Sequence, residues 1–92
     1  MNIKYWICNT YIDENGKAKV AIFFSEGKTL EEVKMWLWTE IGNDLFSAVK
    51  ENNKEVAEFY NAWATRIADA VSIEEFKEYL DFKGYEYVKC EA

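Results

Sequence analysis

Apolar and polar residues alternate over residues 3–12 (IKYWICNTYI), the two-residue period of a strand rich in β-branched and aromatic side chains. Asp13-Glu14-Asn15-Gly16 interrupts the pattern, and residues 17–25 (KAKVAIFFS) resume it. Asn-Gly suits a two-residue hairpin loop, where both positions need positive φ. The two segments are therefore predicted to pair with Glu14 facing Lys17, Tyr11 facing Val20, Asn9 facing Ile22 and Ile7 facing Phe24. In that register Ile3, Tyr5, Ile7, Tyr11, Val20, Ile22 and Phe24 form the better core face. Trp6, Cys8, Thr10, Ile12, Lys19, Ala21 and Phe23 form the other.

The period then changes to that of helices. Thr29-x-x-Glu32 is a capping box, and Leu30, Val33, Trp36, Leu37 and Ile41 follow at helical spacing up to a stop at Gly42. Asn43 is placed to cap a short second helix through Lys50 that buries Leu45, Phe46 and Val49. Asn52-Asn53 marks a break. From Lys54 to Val71 the stripe Val56, Phe59, Tyr60, Trp63, Ile67 and Ala70 predicts another helix. Ser72-x-x-Glu75 is a second capping box, opening a last helix through Phe82 that buries Ile73, Phe76 and Leu80. Gly84 ends it, and Tyr85–Cys90 alternates as a third strand. The expected fold class is α+β: a small three-stranded antiparallel sheet, made of the N-terminal hairpin plus the C-terminal strand, with three to four helices packed on one face in the order ββαα(α)αβ. The last strand fits beside the first, which is the more apolar of the hairpin pair and suits a central place.

The 92 residues make one domain, 1–92, without linker, repeat or low-complexity tract. Met1–Lys4 lead into the alternation with no apolar leader segment, and no stretch approaches the ~18 apolar residues of a membrane span. No secretory leader or membrane contact is expected, and the location is read as cytoplasmic. Cys8 and Cys90, near opposite ends of the chain, do not make a disulfide framework and are expected to be reduced.

Absent residue types narrow the chemistry. The chain has no histidine and a single arginine, Arg66, so it lacks the side chain that titrates unperturbed near neutral pH and most of the forks that read phosphate. Neither cysteine has an activating histidine, and no Cys-x-x-Cys or calcium-loop spacing exists, so no catalytic residue, metal site or cofactor is expected. The glycines are isolated and form no phosphate cradle. Seventeen acidic against eleven basic side chains, a net charge of −6, argue against direct binding to nucleic acid. Lys4, Lys17 and Lys19 do cluster at the hairpin, but Asp13 and Glu14 lie opposite them.

What remains is contact. Glu74, Glu78 and Asp81 fall at i, i+4 and i+7, on one face of the last predicted helix, with Glu75 beside them; Glu55 and Glu58 do the same on the preceding helix. Such rows are ordinarily solvated helix faces, but carboxylates spaced along a helix also imitate a phosphate backbone and compete for the same lysines and arginines. Met35 and Trp38 lie off the stripe of the first helix, and tryptophan anchors interfaces. The partner-binding candidates are thus Glu74, Glu75, Glu78, Asp81, Glu55, Glu58 and Trp38. The function expected is that of a small acidic inhibitor, not an enzyme, occluding the basic surface of a partner protein that grips nucleic acid. In size and composition alone, with no shared motif, the chain resembles phage-encoded inhibitors of bacterial defence such as anti-CRISPR proteins. The alternative is an assembly module without inhibitory action. A sheet covered on one side leaves Trp6, Cys8 and Phe23 as a candidate dimer face, and a two-fold homodimer is the simplest closure.

Overall fold

In the computed structural model, which describes residues 3–91, strands β1 (Ile3–Ile12), β2 (Ala18–Ile22) and β3 (Tyr85–Glu91) form one antiparallel sheet in the order β2-β1-β3. The long apolar strand is central, as its composition requires. Helices α1 (Leu30–Lys50) and α2 (Lys54–Asp69), a 3₁₀ turn (Ile73–Phe76) and helix α3 (Lys77–Lys83) lie between β2 and β3 and cover one side of the sheet. The fold is α+β, as expected. Met1 and Asn2, on which the expected absence of a leader partly rests, lie outside the described residues.

The hairpin register differs from the prediction by one residue. Ile12 faces Ala18, Thr10 faces Val20 and Cys8 faces Ile22. The cause is Asp13. One of its carboxylate oxygens accepts from the backbone N–H of both Asn15 and Lys17, each at 2.9 Å, and its carbonyl accepts from Gly16 at 3.0 Å. Asp13 and Lys17 then close the ladder around a three-residue loop in which only Gly16 takes positive φ, +77°. A three-residue loop with glycine in the left-handed position replaces the two-residue one. Because side chains alternate, a one-residue slip exchanges faces. Val20 and Ile22 move to the open face, while Lys19 and Ala21 turn to the helix side.

The helices also depart from the expected boundaries. Thr29 and Glu32 do form the capping box, and α1 then runs through Gly42 for 21 residues. Glycine inside a helix costs about 1 kcal/mol relative to alanine. The buried stripe Val33, Leu37, Ile41 and Ala48 outweighs this, since each large aliphatic side chain contributes about 1.5–3 kcal/mol on burial. The separate short helix is therefore not formed, and Phe46 and Val49 are exposed instead of buried. Asn52, at φ +58°, ends α1: the N–H of Asn53 reaches the Ala48 carbonyl at 2.9 Å and that of Asn52 reaches Val49 at 3.1 Å. Asn53 then caps α2 by accepting from Val56 at 3.3 Å. Helix α2 stops at Asp69, and Val56 and Phe59 in its first turns stay partly exposed.

The last predicted helix is two pieces. Phe76, at φ −124° and ψ 23°, separates the 3₁₀ turn from α3. That break lets Ile73, Phe76, Tyr79 and Leu80 all reach complete burial. They join Tyr5 and Ile7 of β1, Val33, Leu37 and Ile41 of α1, Trp63, Ile67 and Ala70 in one core. Lys34 on α1 donates to the Ala70 carbonyl at 2.7 Å, at the C-terminal end of α2. The result is a thin slab, 42 × 40 × 19 Å: one helical layer and one sheet.

Candidate functional site

Charge divides between the two layers. Residues 30–84, the helical layer, hold twelve acidic and six basic side chains. The strands and their loops hold five of each. The whole net charge of −6 therefore belongs to one side of the slab. Several basic groups there are already engaged: Lys34 at Ala70, Lys77 with Asp81 at 3.7 Å, and Arg66 over the Trp63 ring at 4.1 Å.

The predicted carboxylates separate into two kinds. Glu55 and Glu58 on α2, Glu74 on the 3₁₀ turn, and Glu78 and Asp81 on α3 are exposed. Because Phe76 breaks the helix, Glu74 does not share an α-helical face with Glu78 and Asp81, so the expected i, i+4, i+7 row is a pair preceded by a separate turn. Glu75 is committed locally. Its carboxylate accepts from Val71 N–H at 2.7 Å, Ser72 N–H at 2.8 Å and the Ser72 hydroxyl at 3.3 Å. The backbone bond from Val71, then that from Ser72, holds its carboxyl below the usual range. Glu32 is lowered in the same way, first by the backbone N–H of Thr29. Trp38 is 54% exposed beside Met35 at 73%, and with Glu31, Lys34 and Ala68 they line a shallow groove of about 210 Å³ on the acidic layer.

A second charged cluster was not anticipated. Lys83 Nζ lies 3.0 Å from Asp44 and 3.3 Å from Glu40, and the Tyr85 hydroxyl donates to the Glu40 carboxylate at 2.9 Å. Glu40 and Asp44 are i, i+4 neighbours on α1. That signal was present in the sequence, but ending the helix at Gly42 hid it. Burial opposes the charge on Lys83, yet the hydrogen bond to Asp44 and the two carboxylates prevail and hold it above the ordinary lysine range. Burial, then the bond to Glu40, pushes Tyr85 up to about 12. Burial also raises Tyr79, whose hydroxyl has no hydrogen-bond partner among the described residues. All three shifts lead away from neutrality, so each group keeps one protonation state at physiological pH. The cluster clamps α1 to α3 and β3, with no proton to trade.

The other side of the slab carries the third feature. Lys4, Trp6, Cys8, Thr10 and Ile12 of β1 share a face with Ala18, Val20 and Ile22 of β2 and with Glu86, Val88 and Cys90 of β3. Ile12, Val20, Ile22 and Val88 are 50–67% exposed. Phe23, predicted to join this face, points to the helices and stacks on Trp36 and Tyr85 at 5.4 and 5.2 Å. Both thiols are free. Cys8 faces Glu86 and Cys90 faces Lys4, four residues apart along the strands, or about 13 Å at the usual rise, too far for a disulfide.

Among the described residues no three Cys, Asp or Glu side chains converge as a metal site, and no helix is long and apolar enough to cross a membrane. No protein-family model, curated protein or solved structure matches the chain.

Proposed function

We propose that this chain works by contact, its acidic helical layer docking onto the basic surface of a partner protein and occluding it. The observation that carries this is the segregation of charge, with all of the −6 on the helical layer and none on the sheet. Glu55, Glu58, Glu78 and Asp81 supply exposed carboxylates, and Trp38 with Met35 supplies an apolar anchor on the same layer. Tryptophan rimmed by charge is the composition of an interface centre. A basic surface that accepts exposed carboxylates is one that also accepts phosphates, so the partner is a nucleic-acid-binding protein and the outcome is inhibition. The chain itself does not bind nucleic acid. Its two unbonded thiols fit a reducing compartment, the cytoplasm.

The test is capture of partners from a bacterial lysate at low and high salt. The control is a variant carrying Glu55→Lys, Glu58→Lys, Glu78→Lys and Asp81→Lys. Each captured protein is then assayed for nucleic-acid binding with the domain as competitor. Capture should fall steeply as the screening length shrinks from about 10 Å at 0.1 M salt to about 3 Å at 1 M. It should vanish in the variant, and the domain should displace nucleic acid. Equal capture by both proteins would reduce these carboxylates to a solvated surface.

A further inference from the structure

We infer that the open sheet face is a self-association surface whose occupant is a second copy of this chain. The inference rests on the sheet and is independent of what the acidic layer binds. The turn at Asp13 supplies its first element. By setting the register one residue away from the two-residue alternative, it brings Val20 and Ile22 beside Ile12 and Val88, with Trp6 and Cys8 between them on the central strand. Six apolar side chains on three strands make up most of this face, with Thr10 beside Val20 and one opposite-charge pair of residues, Lys4 and Glu86, toward its β3 side.

Area supplies the second element. A compact monomer of 10.8 kDa exposes about 5,500 Å². This chain exposes 6475 Å², an excess of about 900 Å², where a standard interface takes roughly 800 Å² from each partner. The dimensions agree. The radius of gyration is 14.6 Å, against roughly 12 Å for a compact domain of this length, and the slab is only 19 Å thick. A second sheet stacked at about 10 Å completes a four-layer α/β/β/α body with both apolar faces inside.

Charge selects the copy over other occupants. The sheet layer is neutral, so two sheet faces meet without net repulsion. The two acidic layers then lie outermost, about 30 Å apart, several screening lengths at physiological salt. Met35, Trp38 and Phe46 are also exposed, but self-contact there would set −6 against −6. A strongly basic partner has nothing to gain from the neutral face. Two-fold stacking is isologous, so it closes at the dimer and does not propagate.

Sedimentation velocity on the full chain at about 100 µM tests this, alongside Val20→Lys and Ile22→Lys. Both positions are more than 60% exposed in the single chain, so a lysine there leaves the monomer folded, which circular dichroism verifies. The wild type should sediment at twice 10.8 kDa. Each lysine, installed twice by symmetry, should weaken the dimer at least about a hundredfold and leave a folded monomer. Met35→Lys on the acidic layer should leave the dimer intact. The thiol of Cys8 should react more slowly in the dimer than in the Val20→Lys monomer. A monomeric wild type overturns the inference and leaves the face to a different protein. A dimer that survives both lysines, or is lost in Met35→Lys, overturns it as well.

Discussion

Replacing Tyr79 by phenylalanine should stabilise this protein. The ring is fully buried, packed on Trp63 at 5.6 Å and on Phe82 at 6.0 Å between centroids, and phenylalanine preserves both contacts. What it removes is a hydroxyl with no hydrogen-bond partner among the described residues. In the unfolded chain that hydroxyl is solvated, and in the fold it is not, a desolvation penalty of about 1–3 kcal/mol. Losing one oxygen leaves only a small gap and recovers little dispersion energy. The net gain should be about 1 kcal/mol, or roughly 4–8 °C in midpoint for a domain of this size.

Urea unfolding followed by tryptophan fluorescence at pH 7 reads this directly. Repeating it at alkaline pH adds a second, independent readout. Burial raises the pKa of Tyr79 in the fold, so the folded state keeps a proton that the unfolded state releases near pH 10. The stability associated with that proton is whole below pH 10 and is lost as pH rises beyond it. Phenylalanine has no proton to lose, so the advantage of Tyr79→Phe should widen above pH 10. A variant less stable than the wild type at pH 7 would show that the hydroxyl is engaged in a bond. An advantage that does not grow with pH would show that Tyr79 ionises normally in the fold. Either result refutes the reasoning.

Three other substitutions follow from the packing. Gly42→Ala should stabilise by about 0.5–1 kcal/mol in the same urea assay, because the position is inside α1 and an added methyl meets nothing within 4 Å; a loss would mean that the helix is strained there. Gly27→Ala should destabilise by about 1–3 kcal/mol and shift the Trp6 indole resonance, since its new carbon would stand 2.7 Å from Lys4 Cβ and 2.9 Å from the Trp6 ring; an unchanged resonance would place the loop farther from β1. Lys83→Met should cost about 1–2 kcal/mol at pH 7, discounted because Glu40 and Asp44 keep side-chain exposures of 26% and 33%. Most of that cost should disappear when Glu40→Gln and Asp44→Asn are already present, and additive losses in the cycle would rule out a shared clamp.

Local signals made most of the fold legible in the sequence. Thr29 with Glu32, Asn52-Asn53, Ser72 with Glu75, and Gly84 each satisfy backbone groups at the ends of elements, and those ends form where the residues say. The departures arise where a local rule met a larger tertiary term. Gly42 is a good stop on its own, but a stripe of buried side chains runs straight past it. Ser72 opens a good helix, but bringing Tyr79 and Leu80 under the sheet requires the break at Phe76. The Glu40–Asp44–Lys83–Tyr85 clamp joins residues up to 45 positions apart, and no spacing rule reaches that far. The exposed carboxylates were individually legible, whereas their shared layer required knowing which elements cover the sheet.

The open face shows how a short-range choice sets a long-range property. Asn15-Gly16 permits either a two-residue or a three-residue loop, and the two differ by a single step of register. Asp13 decides between them, because its carboxylate can accept from Asn15 and Lys17 only in the longer loop, where those two bonds replace the ladder pair that the shorter loop would keep. In the shorter loop Lys19 would stand on the open face and Val20 and Ile22 under the helices. That arrangement would put a lysine in place of two aliphatic side chains on the open face. In the longer loop the lysine is carried to the helix side, and the open face has only apolar side chains along β2. Two hydrogen bonds at a solvent-exposed turn therefore set which β2 side chains lie on the open face, while the acidic layer on the far side keeps its charge in either case.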